Sequence, residues 1–145
     1  MSNLMMMVLM VAGGVAVAVQ PSINARLAEK TGFIQAATIS FAVGTLVLLG
    51  LSLVSQQGSL RRAVDADWWQ LTGGLFGAFF VTMTILGVPR IGTTAVLALT
   101  IVSQLIAGLI LDNFGLFGMR GIPFDARRLL GVVLLMAGVL LICRR

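Results

Sequence analysis

The sequence predicts an all-α membrane protein: five transmembrane helices per chain, paired with a second, inverted copy in an antiparallel, dual-topology homodimer of ten helices. Three observations carry that expectation. First, 59% of the 145 residues are hydrophobic and 10% are charged, whereas an ordinary globular chain is about 25% charged. The mean hydropathy is correspondingly high, at +1.06. Second, the polar residues cut the chain into five apolar runs, each near the roughly 20 residues that a helix needs to cross a bilayer's hydrocarbon core. Third, lysine and arginine divide evenly between the two sides that five spans define.

The first span is expected over residues 4–22. Ala16-Val17-Ala18 looks like a leader-cleavage site, but "MSNLMMM" supplies no basic residue for the charged region of a leader, so the segment is read as a retained span. Met5, Met6, Met7 and Met10 are soft enough to suggest a metal, yet neighbouring residues point to different helix faces and methionine commonly fills apolar gaps. Residues 24–32 form the first connection. The second span covers 33–55 and the third covers 69–88, with Trp68 and Trp69 where aromatic rings settle at the headgroup level. A tight turn around Pro89-Arg90 leads into the fourth span, 91–111. The stretch "NFGLFGMRGIPFD" then interleaves Phe114, Leu116, Phe117, Ile122 and Phe124 with glycines, which suits a segment anchored in the interface. The fifth span, 128–143, is short and borrows from its flanks.

At this length a single transmembrane domain, residues 1–145, is expected, because the longest polar stretch, 56–67, is too short to fold alone. The net charge of +5 comes from basic residues scattered in ones and twos, so nucleic acid is not an expected partner. There is no histidine, and Cys143 is the single cysteine. A metal site, a cofactor and enzymatic acid–base chemistry are therefore not expected. The expected partners are membrane lipid, a small-molecule solute and a second copy of the chain.

That last partner follows from the charges. Arg61, Arg62, Arg120, Arg127 and Arg128 fall on the N-terminal side of the spans; Arg26, Lys30, Arg90, Arg144 and Arg145 fall opposite. Orientation normally follows an excess of basic residues on the cytoplasmic side. Five against five expresses no preference, and a chain that inserts both ways can pair with its own inverted copy as inverted repeats pair in larger transporters. A single orientation fixed by other features is the plainer alternative.

Polar residues inside the spans are the candidate site. Gln20 and Asn24 are four apart, so in a continuous helix both amides share a face. Between them Pro21 lacks an N–H and crowds the carbonyl of Val17, which marks a helix break. Thr93, Thr100 and Gln104 form a second polar stripe. Gln20, Asn24, Thr100 and Gln104 are the candidate solute-binding residues, with interhelical hydrogen bonding as their rival role. Asp112, near the end of the fourth span, is the candidate proton carrier, with an interfacial acid as the alternative. Arg26 is placed to meet a solute or a lipid headgroup. Gly73 and Gly77, and Gly131 and Gly138, mark helix-packing faces.

The segment "VQPSINARLA", from Val19 to Ala28, resembles the first-helix signature of the YdcZ-like family, bacterial inner-membrane exporters of the drug/metabolite transporter superfamily. The stretches "QAATISFAVGTL", "WWQLTGGLFGAFFV", "VPRIGTTAVLAL", "SQLIAGLILDNFGLFG" and "RRLLGVVLLMAGVLL" extend the likeness through all five spans. The family is similar to the small multidrug-resistance transporters in size and in dual topology. The resemblance implies export of a small polar or amphipathic solute from a multi-pass protein of the inner membrane. It departs from the multidrug transporters in having no mid-membrane glutamate in the first span, which removes their route to proton-coupled export of cations. The charge balance predicts that reporters active on only one side of the membrane, fused after Arg145, give signal from both sides. A signal from one side alone ends the dual-topology reading.

Overall fold

The computed structural model describes residues 2–55, 58–118, 121–123 and 125–144. Gln56, Arg120, Phe124 and Arg145, which entered the loop and charge expectations above, lie outside them. Among the described residues there is no strand, and five helices are long and apolar enough to cross a membrane. The chain forms two compact units, Met1–Arg90 and Ile91–Arg145.

In the first unit, α1 (Asn3–Thr31) starts on Ser2, whose hydroxyl accepts the Met5 N–H at 3.2 Å. The expected end near residue 22 and the expected break at Pro21 are both corrected: α1 runs through Pro21 to Thr31. Proline removes one helical hydrogen bond, at a cost of about 3 kcal/mol. Here the ring is fully buried, and the following "ARLAEK" is rich in strong helix formers. At about 1.5 Å per residue, the 29 residues of α1 outreach the hydrocarbon core, so the apolar run ends before the helix does. Arg26, Glu29 and Lys30 occupy the extra turns.

α1 and α2 (Phe33–Ser55) are joined by one residue, Gly32, at φ 92 and ψ 155. Its N–H donates to the Ala28 carbonyl at 2.8 Å and its carbonyl accepts from Ala36 at 3.0 Å, so one residue caps two helices. After 3-10 turns at Leu60–Asp65 and Trp68–Thr72, α3 follows (Gly73–Ile91). The turn expected at Pro89-Arg90 is also corrected. α3 continues through both to Ile91, and the chain breaks at Gly92, at φ 85 and ψ 154. That region of backbone space is essentially closed to residues with a Cβ, so glycine sets the break while proline, already within a helical φ, does not.

The core of the first unit is small. Ala36 and Ala37 of α2 meet Val81 and Ile85 of α3, with Leu27, Ala28 and Phe80 around them. A Cβ on Gly77 would stand 3.2 Å from the Phe41 ring, so the tip of that ring packs against the α3 backbone there. Small residues serve this purpose in lipid, where packing replaces the hydrophobic drive between helices. Large apolar side chains such as Leu46, Leu48 and Phe76 lie outside.

The second unit pairs α4 (Thr93–Phe114) with α5 (Ala126–Cys143). α4 outruns its expected end, and α5 begins two residues earlier than expected because Asp125 accepts the Arg127 N–H at 3.1 Å as its N-cap. The connecting loop folds back on α4: Gly115 and Ile122 both donate to the Asp112 carbonyl, at 3.3 and 2.8 Å. Phe114 and Phe117 are exposed at this end.

Gly92→Ala is expected to cost about 1–3 kcal/mol through backbone strain, while Gly13→Ala, in an open stretch of α1, is neutral or stabilising. Thermal unfolding of the detergent-solubilised variants checks the contrast.

Candidate solute site

The continuity of α1 keeps Gln20 and Asn24 one turn apart on the same face. α2 supplies what they meet. Ser40 Oγ accepts from Asn24 Nδ2 at 3.1 Å and from Gln20 Nε2 at 3.4 Å. Asn24 is only 5% exposed, and Gln20 and Ser40 are half-buried. A side-chain amide is costly in hydrocarbon unless bonded. One hydroxyl answers two amides here, using both lone pairs and leaving its proton for a third group.

Two grooves flank this cluster. One, of about 410 Å³, is lined by Gln20, Asn24 and Ser40 with Ala16, Ile23 and Val43 among its apolar walls. The other, of about 200 Å³, is lined by Gln20, Ser40 and Thr45 with Phe41, Gly44 and Leu48. Both are uncharged. They suit a solute that exchanges hydrogen bonds with amide and hydroxyl groups and lays an apolar part against the helices. Ser40 and Thr45 escaped the sequence reading. The available signal was two hydroxyls five residues apart within the apolar run of the second span.

The other candidate residues are placed less uniformly. Thr100 donates to the Val96 carbonyl of its own helix at 2.8 Å, a bond that needs no solute. Gln104 instead lines a cleft of about 380 Å³ between α4 and α5. Asp112 Oδ2 and Arg128 Nη1 are 3.3 Å apart at that cleft. Arg26 pairs with Glu29 at 2.8 Å with 80% of its side chain exposed, and belongs to the helix surface. Among the glycines, Gly77 faces Phe41, while within this chain nothing lies within 4 Å of a Cβ placed on Gly73, Gly131 or Gly138. Gly131 lines the α4–α5 cleft. Among the described residues no group of three or more histidines, cysteines or acids could hold a metal ion.

Lipid-length helices whose apolar side chains face outward, with an uncharged polar cluster between two of them, define a small multi-pass helical membrane protein. The chain belongs to the family described as "Putative inner membrane exporter, YdcZ", whose model matches residues 5–141. It is 30% identical to the inner membrane protein YdcZ of Escherichia coli strain K12 over 150 aligned positions, covering 100% of this chain and 99% of that relative. No solved structure matches. The family and the five apolar helices make this a multi-pass protein of the bacterial inner membrane.

Asn24→Ala and Ser40→Ala are each expected to cost about 0.5–2 kcal/mol. The double variant is expected to cost less than the sum of the two, because the shared bond is lost only once. A double-mutant cycle on the thermal transition measures this coupling.

Proposed function

We propose that the chain is a secondary transporter that exports a small polar or amphipathic solute, and that the Gln20–Asn24–Ser40 cluster is part of its binding site. The single observation that carries this reading is the cluster itself: three polar side chains brought together inside an apolar helix pair, with open space on either side. Membership of an exporter family supports it. The neutral lining favours solutes that hydrogen-bond without carrying a permanent charge into the membrane, since an unpaired charge at that depth is costly.

In the fuller form of the proposal, two protomers insert in opposite orientations and pair about an axis in the membrane plane. Access then alternates between the two sides by rocking of one protomer against the other. The even division of basic residues supports this arrangement.

A second reading keeps the same residues as helix glue in a non-transporting subunit. It is favoured by one observation: the Gln20 and Asn24 amides already donate within the chain. The two readings part on a single comparison. A transporter is stabilised thermally by its solute, because the ligand binds only the folded state. Gln20→Ala and Asn24→Ala should then lose both that stabilisation and export, with expression and assembly unchanged. If the same variants weaken assembly and no solute stabilises the parent protein, the subunit reading replaces the transporter.

A further inference from the structure

The α4–α5 cleft differs in kind from the Gln20–Asn24–Ser40 cluster, because it is charged at one end and, apart from the Gln104 amide, apolar along its length. Its walls are Leu105, Leu109, Val132 and Leu135, with Gly108 and Gly131 between them. No heavy atom of the chain beyond the immediate helix lies within 4 Å of a Cβ placed on either glycine, so the slot is open where a side chain would otherwise fill it. At its charged end the Asp112 and Arg128 side chains remain 46% and 42% exposed while holding each other at 3.3 Å.

The position of that end in the bilayer follows from the sequence of elements. Asp112 is in the last turn of α4 and Arg128 is in the first turn of α5. Charges at the ends of apolar spans lie at the headgroup level. The exposed rings of Phe114 and Phe117 mark the same level. The slot therefore runs from the headgroups toward the hydrocarbon, as a lipid does.

The charges narrow the occupant further. A half-exposed ion pair is worth little by itself, so each partner can accept a second ion at small cost. An anionic headgroup would satisfy Arg128 but set its phosphate against the Asp112 carboxylate. A headgroup carrying both a phosphate and a primary ammonium complements both side chains and leaves no charge over, and the ammonium can donate hydrogen bonds to the carboxylate.

We propose that this cleft is a specific site for an aminophospholipid, with phosphate at Arg128, ammonium at Asp112 and an acyl chain along the Gly108–Gly131 slot. The site stands whether or not the chain exports a solute. The test uses the purified chain in a non-ionic detergent, titrated with dioleoyl phosphatidylethanolamine, phosphatidylcholine and phosphatidylglycerol, with retained lipid read by native mass spectrometry. Phosphatidylethanolamine is expected to bind about tenfold more tightly than the other two, as loss of one charge-assisted hydrogen bond implies. Asp112→Asn and Arg128→Gln are each expected to remove that preference. Gly131→Leu, which fills the slot, leaves the ion pair in place and adds a good helix former, is expected to lose the retained lipid. If either charge variant fails to fold, Gly131→Leu carries the test alone. Equal retention of all three lipids, or a preference unchanged in the variants, overturns the site. So does a change of oligomeric state in Gly131→Leu with lipid retention intact, which would assign the cleft to a contact between copies of the chain.

Discussion

A hydrocarbon interior offers no water to a backbone N–H or carbonyl, and each group left unsatisfied there costs several kcal/mol. The α1–Gly32–α2 link, past the charged last turns of α1, keeps the irregular backbone to a single residue. Gly32 serves the last turn of one helix and the first turn of the next. The α3–α4 link also turns on one glycine, Gly92, with nearly the same backbone angles and a carbonyl that accepts from Val96. The constraint also explains Pro21. A proline inside a span forfeits one hydrogen bond, but ending the helix there would expose several more, so the helix continues and the ring is buried instead.

The same economy governs the side chains. With lipid outside, large apolar residues face outward and the contacts between helices fall to small ones: Ala36 and Ala37 in the core, and Gly77 beneath the ring of Phe41. Amides and hydroxyls then turn toward one another between helices, where Ser40 gathers Gln20 and Asn24. Other hydroxyls return to their own helix, as those of Thr82, Thr84, Thr100 and Ser103 do. This contrast separates a polar residue that assembles a site from one that only satisfies itself. Spacing along a helix alone does not make the distinction.

Charge is kept to the ends of the spans, and the two ion pairs among the described residues differ in consequence. Arg26 and Glu29 lie on one helix, largely exposed, and bind one another as neighbours on a helix surface do. Asp112 and Arg128 join two helices at the mouth of a cleft, where the same chemistry is open to a third partner. The grooves beside Ser40 are thus uncharged, whereas the mouth of the α4–α5 cleft carries a pair of opposite charges.

By itself the sequence determined the number of spans, the all-helical class and the membrane setting, because apolar run length against bilayer thickness is a local property that needs no tertiary knowledge. It also marked Gln20 and Asn24, since an amide in an apolar run is conspicuous wherever the helix points. Helix ends were less legible. The amides and the prolines looked like stops, but a helix continues until a residue such as Gly32 or Gly92 permits a backbone that helices do not use, or until the polar cap of another helix begins. Only the tertiary structure decided that Ser40 completes the amide pair, that Thr100 bonds back to its own helix, and that Arg128 meets Asp112 from 16 residues away. Those facts depend on which faces two helices present to each other, and that is set by the packing of small residues across the pair rather than by the order of residues along either one.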